Sequence, residues 1–326
     1  MSIVPLNSAP GLRIFPVLAI LVSVLAWFWP EPFAVALPWI SPLLALVMLA
    51  MGITLTLDDF RRLATRPAPV LAGLGLHYLI MPLAALGIAR LLHLPPDLTA
   101  GMILTGSVAS GTASTVMVYL SGGEVALSVT ISACSTLVGV AMTPLLTWLY
   151  TSSTIPIDYG AMLLSIVEIV LLPVGLGLLL RQTMPAMITR VEPGLPILCM
   201  AAVIIIIGAI VSAVPDNTLT EAAPMILAVA MHNTTGLLGG YFGGRLLGFN
   251  EAVCRTLALE VGMQNSGLAA TLARLYISSS AAIPGVFFSI WHNLSGSLLA
   301  GYWSRHPASL STRQEPPARH TSFSER

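Results

Sequence analysis

Stretches of about 20 apolar residues recur along the whole chain, and each is long enough to cross ~30 Å of hydrocarbon. They fall at residues 12–30, 35–57, 69–92, 98–120, 124–150, 157–180, 194–214, 222–247, 251–276 and 283–303. Pro, Gly and charged residues separate them, as in Pro30-Glu31-Pro32, Pro95-Pro96-Asp97 and Glu192-Pro193-Gly194. A backbone in lipid must satisfy its polar groups internally, so such segments are helices. A β-barrel would show alternating segments of ~10 residues instead. Composition closes off the soluble alternative: 56% of the 326 residues are hydrophobic and 9% charged, against roughly 25% charged in an ordinary soluble domain. The sequence therefore predicts an all-α membrane protein with ten transmembrane helices in one domain, residues 1–303. A tail at 304–326, rich in Ser, Pro and Arg, reads as polar, cytoplasmic and disordered.

All fourteen basic residues are Arg. With ten crossings, twelve of them lie on or near the side of the N-terminus, and only Arg90 and Arg274 lie toward the other. That asymmetry makes the N-terminal side cytoplasmic and places both termini inside. The expected location is a cell membrane, the inner membrane of a bacterium. The Arg61, Arg62, Arg66 cluster could speak for nucleic acid, but a positive-inside loop accounts for it. The lipid bilayer is the expected partner, and nucleic acid is not. Segment 12–30 also imitates a cleavable signal peptide, with Arg13, an apolar run and Ala34-Val35-Ala36. Its length, and the repeat described next, favour a retained first span. Cys134, Cys199 and Cys254 sit in apolar stretches without C-x-x-C spacing and read as small buried residues.

An internal repeat organises the chain. His77 is followed after twelve residues by Arg90-Leu91-Leu92, and His232 after twelve by Arg245-Leu246-Leu247. Ser110-Gly111-Thr112-Ala113-Ser114-Thr115 matches Ser266-Gly267-Leu268-Ala269-Ala270-Thr271 at four of six positions. The offsets, 155 and 156 residues, are nearly in register. Each half then holds five spans, and five is odd, so the second half enters the membrane upside down. An inverted-topology repeat of this kind points to alternating access.

The matched segments lie in the fourth and ninth spans, and both make poor continuous helices. The fourth reads Thr105-Gly106-Ser107-Val108-Ala109-Ser110-Gly111-Thr112, and the ninth Glu260-Val261-Gly262-Met263-Gln264-Asn265-Ser266-Gly267. Glycine costs about 1 kcal/mol in a helix interior, and an ionisable group at the bilayer centre at least about 2.5 kcal/mol. Such residues can simply tighten helix packing. Two matched segments in corresponding halves favour a pair of broken helices, whose freed carbonyls hold a cation and whose restarted N-termini, beyond Gly111 and Gly267, face an anion. In the fifth span Glu124, Ser128 and Ser132 share one helical face. Their hydroxyls either back-bond to their own helix or supply oxygen to a hard cation.

At these residues the sequence resembles the bile acid:sodium symporter family, through Met51-Gly52-Ile53-Thr54-Leu55-Thr56-Leu57-Asp58-Asp59-Phe60, Gly111-Thr112-Ala113-Ser114 and the span-nine motif. The resemblance covers Ser41 to Trp303. It implies a panel of spans 1, 2, 6 and 7 and a core of spans 3–5 and 8–10 that carries the crossed broken helices. It also implies two sodium ions behind the crossing. The first would use Ser114, Thr115, Ser128, Ser132 and Glu260. The second would use Glu260, Val261 and Met263 through backbone carbonyls, with Gln264 and His77. Substrate would sit near Thr112, Asn265 and Asn293. Two positions depart from the family pattern. Thr115 stands where Asn is common and keeps an oxygen. His77 stands where Gln is common, and an imidazole offers nitrogen and can carry a proton, which puts the second site in doubt.

The function that follows is a sodium-coupled symporter for an organic anion, such as a bile acid or small carboxylate, with sodium as coupling ion and no cofactor. Proton coupling through Glu260, His77 or Glu168 is the alternative. Glu168, a further mid-membrane acid, either lines the cavity or pairs with an internal polar group. A related metalloid-exporter family needs a cysteine in the broken fourth span, and this chain has none there. An enzyme is not expected, because no G-x-S-x-G motif accompanies Ser107 or Ser266. The topology is checked with a single cysteine at Ser311 in an otherwise cysteine-free protein. An impermeant maleimide is expected to label it only after the membrane is opened; labelling in intact cells contradicts a cytoplasmic C-terminus.

Overall fold

The computed structural model describes residues 10–111, 113–151, 155–213 and 222–306, and every regular element among them is helical. Helix α1 (Pro10–Phe28) leads through the short α2 (Glu31–Ala34) and a 3₁₀ turn (Leu37–Trp39) into α3 (Ile40–Thr54). Thr56 and Asp59 form a reciprocal capping box that starts α4 (Leu57–Thr65). The long α5 (Pro67–Leu91) follows, its first turn tolerating Pro67 because an N-terminal residue needs no amide partner. Next come α6 (Pro96–Ser107), α7 (Ser114–Leu120) and α8 (Val125–Thr151). One turn of π-helix, Val167–Leu171, joins α9 (Tyr159–Ile166) to α10 (Leu172–Thr183) without interruption. The chain closes with α11 (Pro185–Val191), α12 (Leu195–Ser212), α13 (Ala222–Leu246), α14 (Glu251–Gly262), α15 (Ser266–Tyr276) and α16 (Ile283–Ser304). Residues 307–326 of the expected tail, Ser311 among them, and Thr112 lie outside the described residues.

Five continuous helical stretches among the described residues are long and apolar enough to cross a membrane: Glu31–Thr54, Pro67–Leu91, Val125–Thr151, Tyr159–Thr183 and Pro185–Ser212. Helices α13 and α16 match them in length, at 25 and 22 residues, but carry His232, Asn233, His292 and Asn293 inward. Helix α3 packs against α10 and α12, and α12 packs against α1. Close approach here depends on small residues: a side chain at Gly177 of α10 would run into the Leu49 carbonyl of α3. In lipid such tight van der Waals contact, rather than water exclusion, holds helices together. Helix α5 packs on α6, α8, α13 and α14, and α16 covers α6, α7, α13 and α15.

The centre of this second group is a crossing of two extended segments. Helix α6 ends at Ser107 and α14 at Gly262, and the chain runs extended through Val108 and through Met263. The two segments pair antiparallel at Ser110 and Gln264. The Gly111 amide donates to the Met263 carbonyl at 3.0 Å, and the Asn265 amide to the Ala109 carbonyl at 2.9 Å. The second helix restarts one residue earlier than the Gly267 break anticipated, because the Asn265 side chain accepts the Leu268 amide and caps α15 at Ser266. A Cβ at Gly111 would lie 2.6 Å from the Gln264 carbonyl oxygen. Gly111→Ala must therefore push the two backbones apart, at about 1–3 kcal/mol. Its thermal unfolding midpoint in detergent is expected to fall; an unchanged midpoint would show that the crossing has slack.

Candidate functional site

Four serine hydroxyls converge on one carboxylate. Glu260, in the last turn of α14 and with none of its surface exposed, accepts Ser114 at 2.6 Å and Ser128 at 2.5 Å on Oε1. Its Oε2 accepts Ser110 at 2.7 Å and Ser132 at 2.8 Å. Ser128 also bonds Thr115 Oγ1 at 3.0 Å, so Thr115 stands one layer behind. Ser110 lies in the extended segment, Ser114 and Thr115 open α7, and Ser128 and Ser132 stack at i, i+4 on α8. The cage thus joins three stretches of chain to α14.

Reading the sequence put Glu124 on the same face as Ser128 and Ser132. The structure separates them: Glu124 precedes α8 and pairs with Arg66 at 2.7 Å. The carboxylate that the serines serve is Glu260. Among the described residues Glu260 makes no ion pair. The buried carboxyl group is held here by neutral hydroxyls alone. All side-chain atoms of the cluster that face one another are oxygens, the donor set of a hard cation.

Several of the carbonyls that the two breaks release meet a protein donor, and His77, with one ring N–H when neutral, donates to one of the two carbonyls it faces. The Val108 carbonyl lies 2.8 Å from His77 Nε2, and the Glu260 carbonyl 3.2 Å from His77 Nδ1. Val261 accepts from Gln264 Nε2 at 3.1 Å, and Gly262 from Asn233 Nδ2 at 2.9 Å. Met263 accepts the Gly111 amide. Asn233 is itself oriented by Ser295 at 2.6 Å. Among the described residues Gln264 Oε1 is buried without a partner.

Of the residues expected near substrate, Asn265 is half-buried at the seam with α3, its Nδ2 3.8 Å from Met48 Sδ. Asn293 is buried on α16 and donates to the Ser289 carbonyl of its own helix at 2.7 Å. Neither lines the apolar cavity of about 550 Å³ that opens between α1, α12, α13 and α16, walled by Trp27, Phe287 and Trp291 among others. Glu168 sits on the π-turn, is exposed, and forms no ion pair among the described residues. Sequence reasoning missed two groups. Ser110 was visible only as part of the repeat, because nothing in its spacing tied it to residue 260. Arg255, counted simply as a cytoplasmic charge, is buried and ties the start of α14 to the Ser121 and His306 carbonyls, both at 2.8 Å.

Residues 41–221 match the sodium bile acid symporter family. YocS of Bacillus subtilis, described as an uncharacterized sodium-dependent transporter, is 38% identical over 291 residues, covering 89% of this chain and 91% of its own. BASS1 of Arabidopsis thaliana, described as a probable chloroplastic sodium/metabolite cotransporter, is 38% identical over 89% of this chain and 73% of its own. The sodium proton antiporter MjNhaP1 of Methanocaldococcus jannaschii shares the fold, with a TM-score of 0.59 at 14% identity over 93% of this chain and 95% of that one. The chain belongs to the sodium bile acid symporter family, whose members are membrane transporters.

Proposed function

We propose that this protein is a sodium-coupled symporter that takes up an organic anion by alternating access. The observation that carries the reading is Glu260, a fully buried carboxylate with four hydroxyl donors and no countercharge among the described residues. A sodium ion supplies that charge. Glu260, Ser114, Ser128 and Ser132 hold it, with Thr115 behind and Ser110 added, and their hydroxyls turn from donating to the carboxylate to offering lone pairs to the cation.

The proposed topology has ten spans: α1, α3, α5, α6 with α7, α8, α9 with α10, α12, α13, α14 with α15, and α16. They form two five-span halves of opposite orientation, with the fourth and ninth spans discontinuous. A correspondence of contacts supports this pairing: His77 of α5 reaches the end of α6, and Asn233 of α13 reaches the end of α14. Helices α1, α3, α9–α10 and α12 make the panel and the remaining spans the core. Both termini are cytoplasmic.

The anion rests on three supports. Neither α7 nor α15 carries an acidic residue. The N-terminus of α15 opens beside Asn265 at the boundary with α3, and such an end carries partial positive charge. The third is the family's own description, which names bile acid. Asn293 and Thr112 remain proposed substrate residues beside Asn265. Proton coupling is not favoured, because the relatives are described as sodium transporters and the cage is all oxygen.

In proteoliposomes Glu260→Gln is expected to abolish sodium-stimulated uptake, since a neutral amide cannot compensate a cation where the local dielectric is low. Thr136→Ala is the control: that hydroxyl bonds back to Ser132 of its own helix and approaches Met51 Sδ. Full sodium stimulation in well-expressed Glu260→Gln refutes the site. The substrate's sign is tested by competition between matched acids and their amides. Acids are expected to compete for uptake and amides to fail; equal competition would falsify an anion.

A further inference from the structure

The family fold implies a second sodium beside the first, and the residues here do not fit it. We infer that this protein couples to a single sodium per cycle, with the His77 ring standing where the second ion would bind. The inference rests on the sodium reading above.

The argument is one of donors. The implied second site draws on Glu260, Val261, Met263, Gln264 and the residue at position 77. At 77 an amide could turn an oxygen toward the ion, whereas an imidazole presents only nitrogen, which suits softer transition metals rather than a hard cation. The ring is 1% exposed and wedged between two carbonyls, Nε2 2.8 Å from Val108 and Nδ1 3.2 Å from Glu260. It fills the space between the ends of α6 and α14 and, when neutral, donates its one N–H to one of the two carbonyls.

The other oxygens leave position 77 to decide. Val261 accepts the Gln264 amide and Met263 the Gly111 amide, each keeping one lone pair. Among the described residues Gln264 Oε1 is buried without a partner. These oxygens complete a second cation site only with a further oxygen from position 77, whereas the serine cage offers a carboxylate and several hydroxyls together.

The test is equilibrium binding of radiolabelled sodium to the purified full-length protein, without substrate, at saturating concentration. One ion per chain is expected, lost in Ser132→Ala. His77→Gln is expected to bind two, with a steeper sodium dependence of uptake. Two ions on the parent protein overturn the inference and leave the symporter reading standing. No sodium binding at all overturns both. A folded His77→Gln that still binds one ion removes His77 as the cause. Should that variant fail to fold, the parent's stoichiometry decides by itself.

Discussion

Two backbone hydrogen bonds, Gly111 to Met263 and Asn265 to Ala109, let two helices stop inside an apolar protein. A helix that ends leaves carbonyls without partners, and in the absence of water each orphan costs several kcal/mol. The crossing answers this by pairing the two interruptions with each other. The Val108, Gly262 and Val261 carbonyls go to His77, Asn233 and the Gln264 side chain, while the Thr143 hydroxyl takes Ser107 at 2.9 Å. Ser135 of α8 accepts the Ser110 amide at 3.1 Å, so the ladder is anchored to a neighbouring continuous helix. Each interruption falls where the other can repair it.

Because the backbone is satisfied in this way, side-chain oxygens are free to gather around one charge. Glu260 is carried by the last turn of α14, where the helix is still regular, and the hydroxyls come from segments that the crossing fixes. The cost of placing a carboxylate at such depth, at least about 2.5 kcal/mol, is offset by hydrogen bonds whose orientation depends on the extended segments staying extended. Loss of the ladder would therefore remove the cage as well.

Much of this was legible in the sequence, and the divisions are physical. Length and hydropathy gave the helices, because lipid permits little else. The matched Ser-Gly-x-Ala-x-Thr segments located the interruptions, since glycine and hydroxyl residues in both halves have a common cause. What stayed hidden depends on three-dimensional register. Glu124 and Ser128 share a helical face in the sequence, yet α8 begins after Glu124 and its carboxylate turns to Arg66. Ser110 meets Glu260 only because two strands 150 residues apart pair in one register. Arg255 looked like any charge near a helix end until its four carbonyl and carboxylate partners were in place.

The arrangement also bears on how ion and substrate would communicate in the proposed cycle. Glu260 and Asn265 are separated by a single extended turn of chain and share the same ladder. In that proposal a cation held at Glu260 would bind Ser110 and Ser114 beside α7 and Ser128 and Ser132 of α8 more firmly to α14. It would thereby tighten the segment whose far end, at Asn265, caps α15 and faces Met48 of α3. No long wire is needed, because both sites act on one short piece of backbone. The coupling free energy is then whatever the crossing loses in slack when the cage fills, and by linkage the substrate must favour the filled cage to the same extent.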